Sequence, residues 1–501
     1  MRKLLPGVFA SLMFLLAFSV SAQDAVPVKD AVKEVVAAVG DVAPVSVSLT
    51  EEGAEMTDKY QDAVLTVNDG KYSVVQEGVA KLTEDGKVEF LNDSRFWTSN
   101  VFMMFSAVLV FIMHLGFCTL EVGFCRAKNA VNIIFKNFSI VAIATLVYAL
   151  IGFNIMYPGD AGWKIGTFFG FAGPGLDAAA VTASVAYNTG YTYWTDFLFQ
   201  AMFAAATGSI VSGAVCERIK IKSFIIFSII FTGLIYPIVG SWGWGGGFLG
   251  NFGFHDLAGS GLVHATGGAG ALAGAIVLGP RIGKYVGGKT FAIMGHNMPV
   301  AAIGAFLLWF GWFGFNGGSQ LNANPTGTSG IMVMTLLASC SGVVSAMIIS
   351  WSLSGKPDLS MILNGALAGL VAITAGADVM GPGSAVIVGA IAGVLVVLAV
   401  LLLDKLKIDD PVGAIPVHLV CGVWGVVATG IFGTAEGMTV FGQIKSAACI
   451  VVFAFFCAFT IFTVLKLTIG LRVSEEEELE GLDLGEHGME SYSGFQIFTN
   501  Q

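Results

Sequence analysis

Charge is scarce in this chain. Asp, Glu, Lys and Arg together make up 12% of its 501 residues, whereas a soluble globular chain carries about 25%. With 55% hydrophobic residues and a mean hydropathy of +0.78, that deficit excludes an ordinary soluble domain and leaves no basic surface for nucleic acid. Histidine is rarer still, at six residues. The seven cysteines show no CxxC or Cys/His metal spacing, fall in apolar segments, and read as small buried hydrophobes. No nucleophile–base pairing, metal cluster or phosphate loop is legible, so neither an enzyme nor a metal or cofactor is expected. Glycine is abundant instead, at 65. Small residues let helices approach closely in lipid, and the composition is that of a polytopic membrane protein.

The net charge of −10 is unevenly spread. Residues 23–93 hold 15 Asp/Glu against 6 Lys, a balance of −9, so the apolar remainder is close to neutral. Residues 1–22 read as a cleaved secretory signal peptide: Arg2 and Lys3, an apolar run interrupted by Pro6, then Val-Ser-Ala before Gln23. A retained first helix is the alternative. Residues 23–95 form an acidic extracytoplasmic segment with strand-like pieces around turns, AVLTV-NDG-KYSVV and KLTEDGKVEFL.

A membrane domain is expected over 96–471, with a cytosolic tail over 472–501. Its apolar segments predict spans at 97–122, 130–155, 194–216, 223–243, 257–279, 297–316, 330–353, 361–380, 384–403, 412–433 and 443–470, each near the ~20 residues that cross a bilayer. With the N-terminus outside, twelve Lys/Arg from Arg126 to Arg472 fall in inner connections, against Lys164 outside. That asymmetry orients the chain N-terminus out and C-terminus in, at the cell inner membrane. The expected fold is therefore all-α with eleven transmembrane helices. They divide as a 5+5 inverted repeat plus one, since an odd number per half inverts the second half. The fifth span carries Val263-His264 and the tenth Val417-His418.

The chain is organised around Trp242–Gly279. His264 lies in its apolar second half, eight residues, or about 12 Å of helix, beyond Asp256. An ionisable group inside a membrane is a functional-site hypothesis by default; the bland alternative is a core histidine bonded to a neighbouring helix. In the third span Phe199 and Phe203 are spaced i, i+4 and share a face. The sixth span ends in Gly311–Ser319, placing Phe315 and Ser319 at the mouth, on the same side as Trp244. Interfacial aromatics are also ordinary belt anchors.

Taken together, these residues resemble the ammonium transporter family, which includes methylammonium permeases and Rhesus proteins. The resemblance covers about residues 97–495 and rests on GFCRAKNAV (123–131), FxxxF followed by GAVCERIK (213–220), WGGG…HDLAGSGLVH (244–264), GWFGFNGGS (311–319), NGALAGLVAIT (364–374) and DDPVGAIPVHLVCGVWG (409–425). The membrane histidines favour the bacterial ammonium-transporter branch. The resemblance implies an outer recruiting site at Phe203, Trp244 and Ser319, and a ring gate at Phe203 and Phe315 with Phe199 one turn away. It also implies a twin-histidine pair at His264 and His418, a buried acidic residue at Asp256, and a homotrimer with a pore in each subunit. The tail's GLDLGEHGMESY (481–492) resembles the family's regulatory C-terminus, which in many bacterial members meets a PII signalling protein.

The chemistry suits these residues. Ammonium resembles potassium in size but donates directional hydrogen bonds, which Ser319 can accept, and it can lose a proton. Aromatic faces hold a cation by about 2 kcal/mol when desolvated, while a bare ion in an apolar medium costs on the order of 20 kcal/mol on the idealised Born estimate. Deprotonation at the mouth and passage of ammonia, with separate proton transfer, is the expected course. Depth arithmetic alone does not pair the histidines: His418 lies about 9 Å from the inner face. Asp256 can cap the fifth helix or assist the cation. Rival classes are a channel for another small neutral solute, a membrane enzyme, and an ammonium sensor, which would need an output domain.

Overall fold

The structure is a computed structural model. It describes the strands at 63–68, 71–76, 80–82 and 88–90, together with residues 94–177, 188 and 190–492. The signal peptide expected over 1–22 lies outside the described residues, as does most of the acidic segment. The chain divides into two compact units, Met1–Gly78 and Val79–Gln501. In the first, β1 (Ala63–Asn68) pairs antiparallel with β2 (Lys71–Gln76), so that Asn68 faces Lys71 across the turn. In the second, β3 (Ala80–Leu82) pairs antiparallel with β4 (Val88–Phe90). Both hairpins coincide with the alternating pieces read from the sequence.

Among its described residues the second unit holds eleven principal helices. Ten are long and apolar enough to cross a membrane: α1 (Ser94–Phe124), α2 (Ala127–Met156), α3 (Tyr193–Val215), α4 (Ile221–Gly243), α5 (Ser260–Leu278), α6 (Met298–Gly318), α7 (Pro325–Ser354), α9 (Pro382–Leu406), α10 (Ile415–Phe432) and α11 (Val440–Thr468). The eighth, α8 (Leu359–Ile373), is apolar but has only 15 residues. Side-chain caps start several of them: Thr192 on α3, Asn297 on α6, Asn324 on α7, Asp358 on α8 and Thr439 on α11 each accept from a first-turn N–H. Outer helix faces are strongly apolar. Phe138 is 82% exposed and Leu467 80%, which fits a lipid-facing surface rather than water.

Glycines set the distances inside. A Cβ on Gly304 of α6 would lie 2.4 Å from the Leu120 nitrogen of α1, and one on Gly342 of α7 would lie 2.4 Å from the Gly365 carbonyl oxygen of α8. These helices touch backbone to backbone, the packing that small residues permit in lipid.

Two span boundaries differ from the sequence expectation for one shared reason. The eighth span was expected over 361–380 and the fifth from 257. Instead the chain leaves α8 at Thr374, where the Thr374 and Ala375 carbonyls accept from Ala258 N (3.1 Å) and Leu257 N (2.9 Å). The Ser260 hydroxyl donates to Val371 O at 2.6 Å and accepts from Ala375 N at 2.7 Å. Residues 257–258 and 374–375 satisfy each other's backbone groups, so neither belongs to a helix. The cysteine reading also needs correction. Cys125, Cys216 and Cys421 are buried, but Cys340 is exposed, on the outward face of α7.

At the end of the unit where α1–α2 and α3–α4 connect, Glu217, Arg126, Arg281 and Asp409 form a buried charge network. Arg281 Nε lies 2.8 Å and Nη2 3.0 Å from the two Asp409 oxygens, while Glu217 accepts from the Arg126 N–H at 2.6 Å. Burial disfavours these charges, yet mutual attraction prevails: Glu217 and Asp409 are held below the usual carboxylate range and Arg281 above its ordinary value. The tail docks beside this network. α12 (Glu475–Glu480) opens on a capping box, with the Glu477 N–H donating to Ser474 Oγ and Ser474 N–H to Glu477. Glu478 then accepts from Arg472 at 2.7 Å and from Ile282 N at 2.7 Å. α13 (Leu482–His487) anchors through Asp483, which accepts from Asn132 N at 2.9 Å. Tyr492 OH lies 2.7 Å from His296 Nε2.

Candidate functional site: an aromatic gate above paired histidines

The residues singled out in the sequence come from five helices, α3, α4, α5, α6 and α10, and most of them converge on one line of contacts. Phe199 and Phe203, one turn apart on α3, have centroids 4.7 Å apart. Phe203 stacks on Phe315 of α6 at 4.1 Å and 23°. Both rings are fully buried, so here they close any passage between them. Trp244, the residue that ends α4, stands edge-on to Phe203 at 6.1 Å. Its indole N–H donates to the Asp256 carbonyl at 2.8 Å, which fixes the ring's orientation. Ser319, one turn beyond Phe315, donates its hydroxyl to the Phe315 carbonyl at 2.8 Å, leaving its lone pairs as acceptors.

Below the rings, His264 stacks on Phe315 at 5.3 Å and on Trp312 at 5.0 Å. Its Nδ1 lies 3.2 Å from the Nδ1 of His418. One of these nitrogens donates and the other accepts, so two neutral rings in this pairing are opposite tautomers. The His264 Nε2 is buried with no hydrogen-bond partner among the described residues. Phe117 of α1 flanks His418 at 6.0 Å.

The pairing that depth arithmetic does not supply has a backbone cause. A Cβ on Gly268 of α5 would lie 2.4 Å from Leu419 N, and one on Gly422 of α10 would lie 2.6 Å from Ser260 O. α5 and α10 thus run antiparallel in direct backbone contact through their first turns. Each histidine also sits in a π-helical turn, Ser260–Ala265 and Ile415–Val420. Such turns widen a helix locally and gather at functional sites.

Asp256 fulfils the capping role completely. Its Oδ1 accepts from Gly259 N (2.7 Å) and Ser260 N (2.9 Å), and its Oδ2 from Gly261 N (2.8 Å) and Leu262 N (3.0 Å). Burial pushes the carboxyl up, against the pull of these N–H groups. Sequence reasoning missed its counterpart. Asp410 accepts from Gly413 N (3.1 Å) and Ile415 N (2.7 Å) at the start of α10. Gly259 and Gly413, each three residues after its aspartate, have φ of +107° and +82°, which glycine alone adopts cheaply. Each histidine follows its aspartate by eight residues. The shared pattern Asp-x2-Gly-x3-Val-His was legible in the sequence, where only Val-His was noticed. Trp312, the flat partner of His264, also went unremarked; its N–H donates to Thr374 Oγ1 at 2.8 Å.

The model of the Ammonium Transporter Family matches residues 101–492. Ammonium transporter Amt2 of Archaeoglobus fulgidus is 41% identical over 425 residues, covering 79% of this chain and 88% of its own. Ammonium transporter Amt1 of Methanocaldococcus jannaschii is 39% identical over 392 residues, covering 76% and 94%. Among solved structures, one titled Sensor Amt Protein aligns with a TM-score of 0.72 and 36% identity, over 78% of this chain and 99% of that one. Mep2 of Candida albicans aligns with a TM-score of 0.68 and 28% identity, over 76% and 87%. With the family model matching residues 101–492 and relatives about 40% identical over most of both chains, this chain belongs to the ammonium transporter family.

Proposed function

We propose that the chain takes up ammonium by splitting it. Ammonium is recruited between Trp244, Phe203 and Ser319, loses a proton at the mouth, and crosses as ammonia past the Phe203–Phe315 gate and along His264 and His418, while the proton follows a separate path. The observation that carries this reading is the 3.2 Å Nδ1–Nδ1 contact directly beneath two stacked rings. A closed apolar gate rejects a bare ion, since ~2 kcal/mol of cation–π attraction cannot offset desolvation of order 20 kcal/mol. Ammonia needs only polar partners, and an unpaired His264 Nε2 supplies one. Asp256, with all its oxygens on backbone N–H groups, acts here as the rigid floor of the recruiting site rather than as the proton acceptor.

The assembly we infer is a homotrimer in the cell inner membrane, N-terminus periplasmic and C-terminus cytoplasmic, with two inverted five-helix halves and an eleventh helix. The shared Asp-x2-Gly-x3-Val-His device on antiparallel α5 and α10 supports the inversion. The docked tail over 481–492 is the proposed landing site of a cytosolic PII protein.

The test is current from proteoliposomes on ammonium and potassium gradients. His264→Asp or His418→Glu puts a carboxylate at the pair; it can carry negative charge, stabilise an intact cation and draw in water. These variants should pass potassium along with ammonium. Folded variants that keep native selectivity would reduce the histidines to core packing.

A further inference from the structure

The tryptophan at the mouth is held from outside the line of rings. Its indole N–H donates to the Asp256 carbonyl at 2.8 Å, so the ring is only as fixed as that carbonyl. The peptide that carries the carbonyl is planar, and its N–H, on Leu257, donates to Ala375 O at 2.9 Å. One residue earlier, the Gln443 side chain of α11 grips both backbone groups of His255. Its Nε2 donates to His255 O at 2.7 Å, and its Oε1 accepts from His255 N at 3.2 Å. The His255 ring Nε2 lies 3.0 Å from Asp378 Oδ1, in the turn that follows α8.

α11 contributes no ring or histidine to the pore line, yet it buries this amide. Its two buried polar side chains are Gln443 and Ser446, each 0% exposed. The Ser446 hydroxyl donates back to Gly442 O within the helix; Gln443 reaches across to another segment. A buried amide costs free energy unless it is hydrogen-bonded, so a leucine would be the simpler residue on an apolar helix. The backbone is shaped to bring the amide into reach. Gly442 meets Phe252 O and Gly253 meets Gly437 O with no room for a Cβ at either place, and Gly253 has φ of +68°, which favours glycine.

We propose that Gln443 is a positioning residue for ammonium recruitment. By gripping His255 it fixes the segment 255–257, and thereby the carbonyl that keeps the Trp244 ring edge-on to Phe203 at 6.1 Å. Asp378 supports the same residue from the turn after α8. Gln443 touches no substrate and makes no contact with the gate rings or the histidine pair. A cation is attracted only while it lies over the face of a ring, so a ring free to swing holds ammonium for less of the time. Loss of the grip therefore weakens recruitment and leaves the passage that follows intact.

This inference rests on the recruiting site proposed above. The test is ammonium-driven uptake into proteoliposomes by the full-length protein carrying Gln443→Leu or Asp378→Ala, each alone and combined with Trp244→Leu. Gln443→Leu should raise the ammonium concentration for half-maximal uptake about fivefold, the scale of one lost hydrogen bond, and Asp378→Ala should raise it less. Maximal uptake should stay near wild type. Neither change should raise that concentration further once Trp244 is replaced, because a residue that acts through the ring then has nothing to act on. Unchanged half-saturation in the single variants, an increase that persists in full beside Trp244→Leu, or a fall in maximal uptake alone would reduce Gln443 to packing while leaving the recruiting site standing. If Gln443→Leu does not fold, Asp378→Ala decides by the same comparison. Trp244→Leu with wild-type half-saturation would sink the recruiting site and this inference together.

Discussion

Gly268→Ala tests whether the distance between two helix backbones controls the histidine pair. The added methyl would lie 2.4 Å from Leu419 N and 2.7 Å from Leu419 Cα. Ordinary contact begins near 3.4 Å, and backbone cannot rotate aside as a side chain can. α5 and α10 must therefore part by about 1 Å, the difference between those distances. Their Nδ1 atoms start at 3.2 Å, so the pair opens to about 4 Å, beyond hydrogen-bond range. The expected cost is ~1–3 kcal/mol for overpacking plus ~1 kcal/mol for the lost hydrogen bond, less up to ~1 kcal/mol regained from helix propensity. The control is Gly304→Ala, whose methyl would meet Leu120 N at the same 2.4 Å but between α1 and α6, away from the histidines. Thermal unfolding in detergent should show similar losses for both. Uptake in proteoliposomes should separate them, with Gly268→Ala losing transport or selectivity and Gly304→Ala keeping both. Equal transport by the two variants would refute the argument that the backbone contact sets the pair.

At the mouth, Trp244→Leu removes a ring 6.1 Å from Phe203, and Ser319→Ala removes a hydrogen-bond acceptor. Trp244→Leu should weaken ammonium dependence by about tenfold, matching ~1–2 kcal/mol of cation–π attraction; uptake curves with potassium as competitor check this for both variants. Deleting residues from Ser474 removes the Glu478–Arg472 and Asp483–Asn132 contacts. Transport should respond differently to nitrogen supply and PII co-purification should disappear, while the protein still inserts; unchanged regulation counts against the tail. Asp409, held below the usual carboxylate range by Arg218 and Arg281 against the effect of burial, adds stability above pH ~4 that is lost as pH falls through its depressed folded value. Asp409→Asn removes the charge that Arg281 Nε and Nη2 bond and leaves Arg281 only Glu217, at 3.4 Å, so it should cost about 3 kcal/mol at neutral pH, the low end for a broken buried pair. Its melting curve should converge with wild type on acidification, and parallel curves would refute the assignment.

The helical plan was legible because hydrophobic runs report burial in lipid directly. Spacing alone put Phe199 and Phe203 on one face; that Phe315, on another helix, meets them followed only from the family resemblance. What escaped depends on partners distant in sequence. The 361–380 run is largely apolar, and contact with residues 257–260 ends α8 at Ile373. His264 and His418 are 154 residues apart, and no periodicity brings them together; glycine contact between α5 and α10 does. Asp410 was overlooked for a different reason. Pro411 and Pro416 disguise its resemblance to the Asp256 segment, although the glycine and histidine offsets are identical.

That repeated segment bears on direction. A molecule approaching the pair along α5, or along α10 running the other way, meets the same sequence: a carboxylate-capped helix start, a turned glycine, then a histidine. A passage with such matched halves carries no rectifier at its centre. In the proposed pore, net uptake must then come from the gradients on either side and from whatever departs from the symmetry. The departures are concrete: Trp244 and the Phe203–Phe315 stack on one approach, the docked tail on the other. Evolution could thus change how strongly the protein favours entry over leak by altering the ends alone, with the middle left untouched.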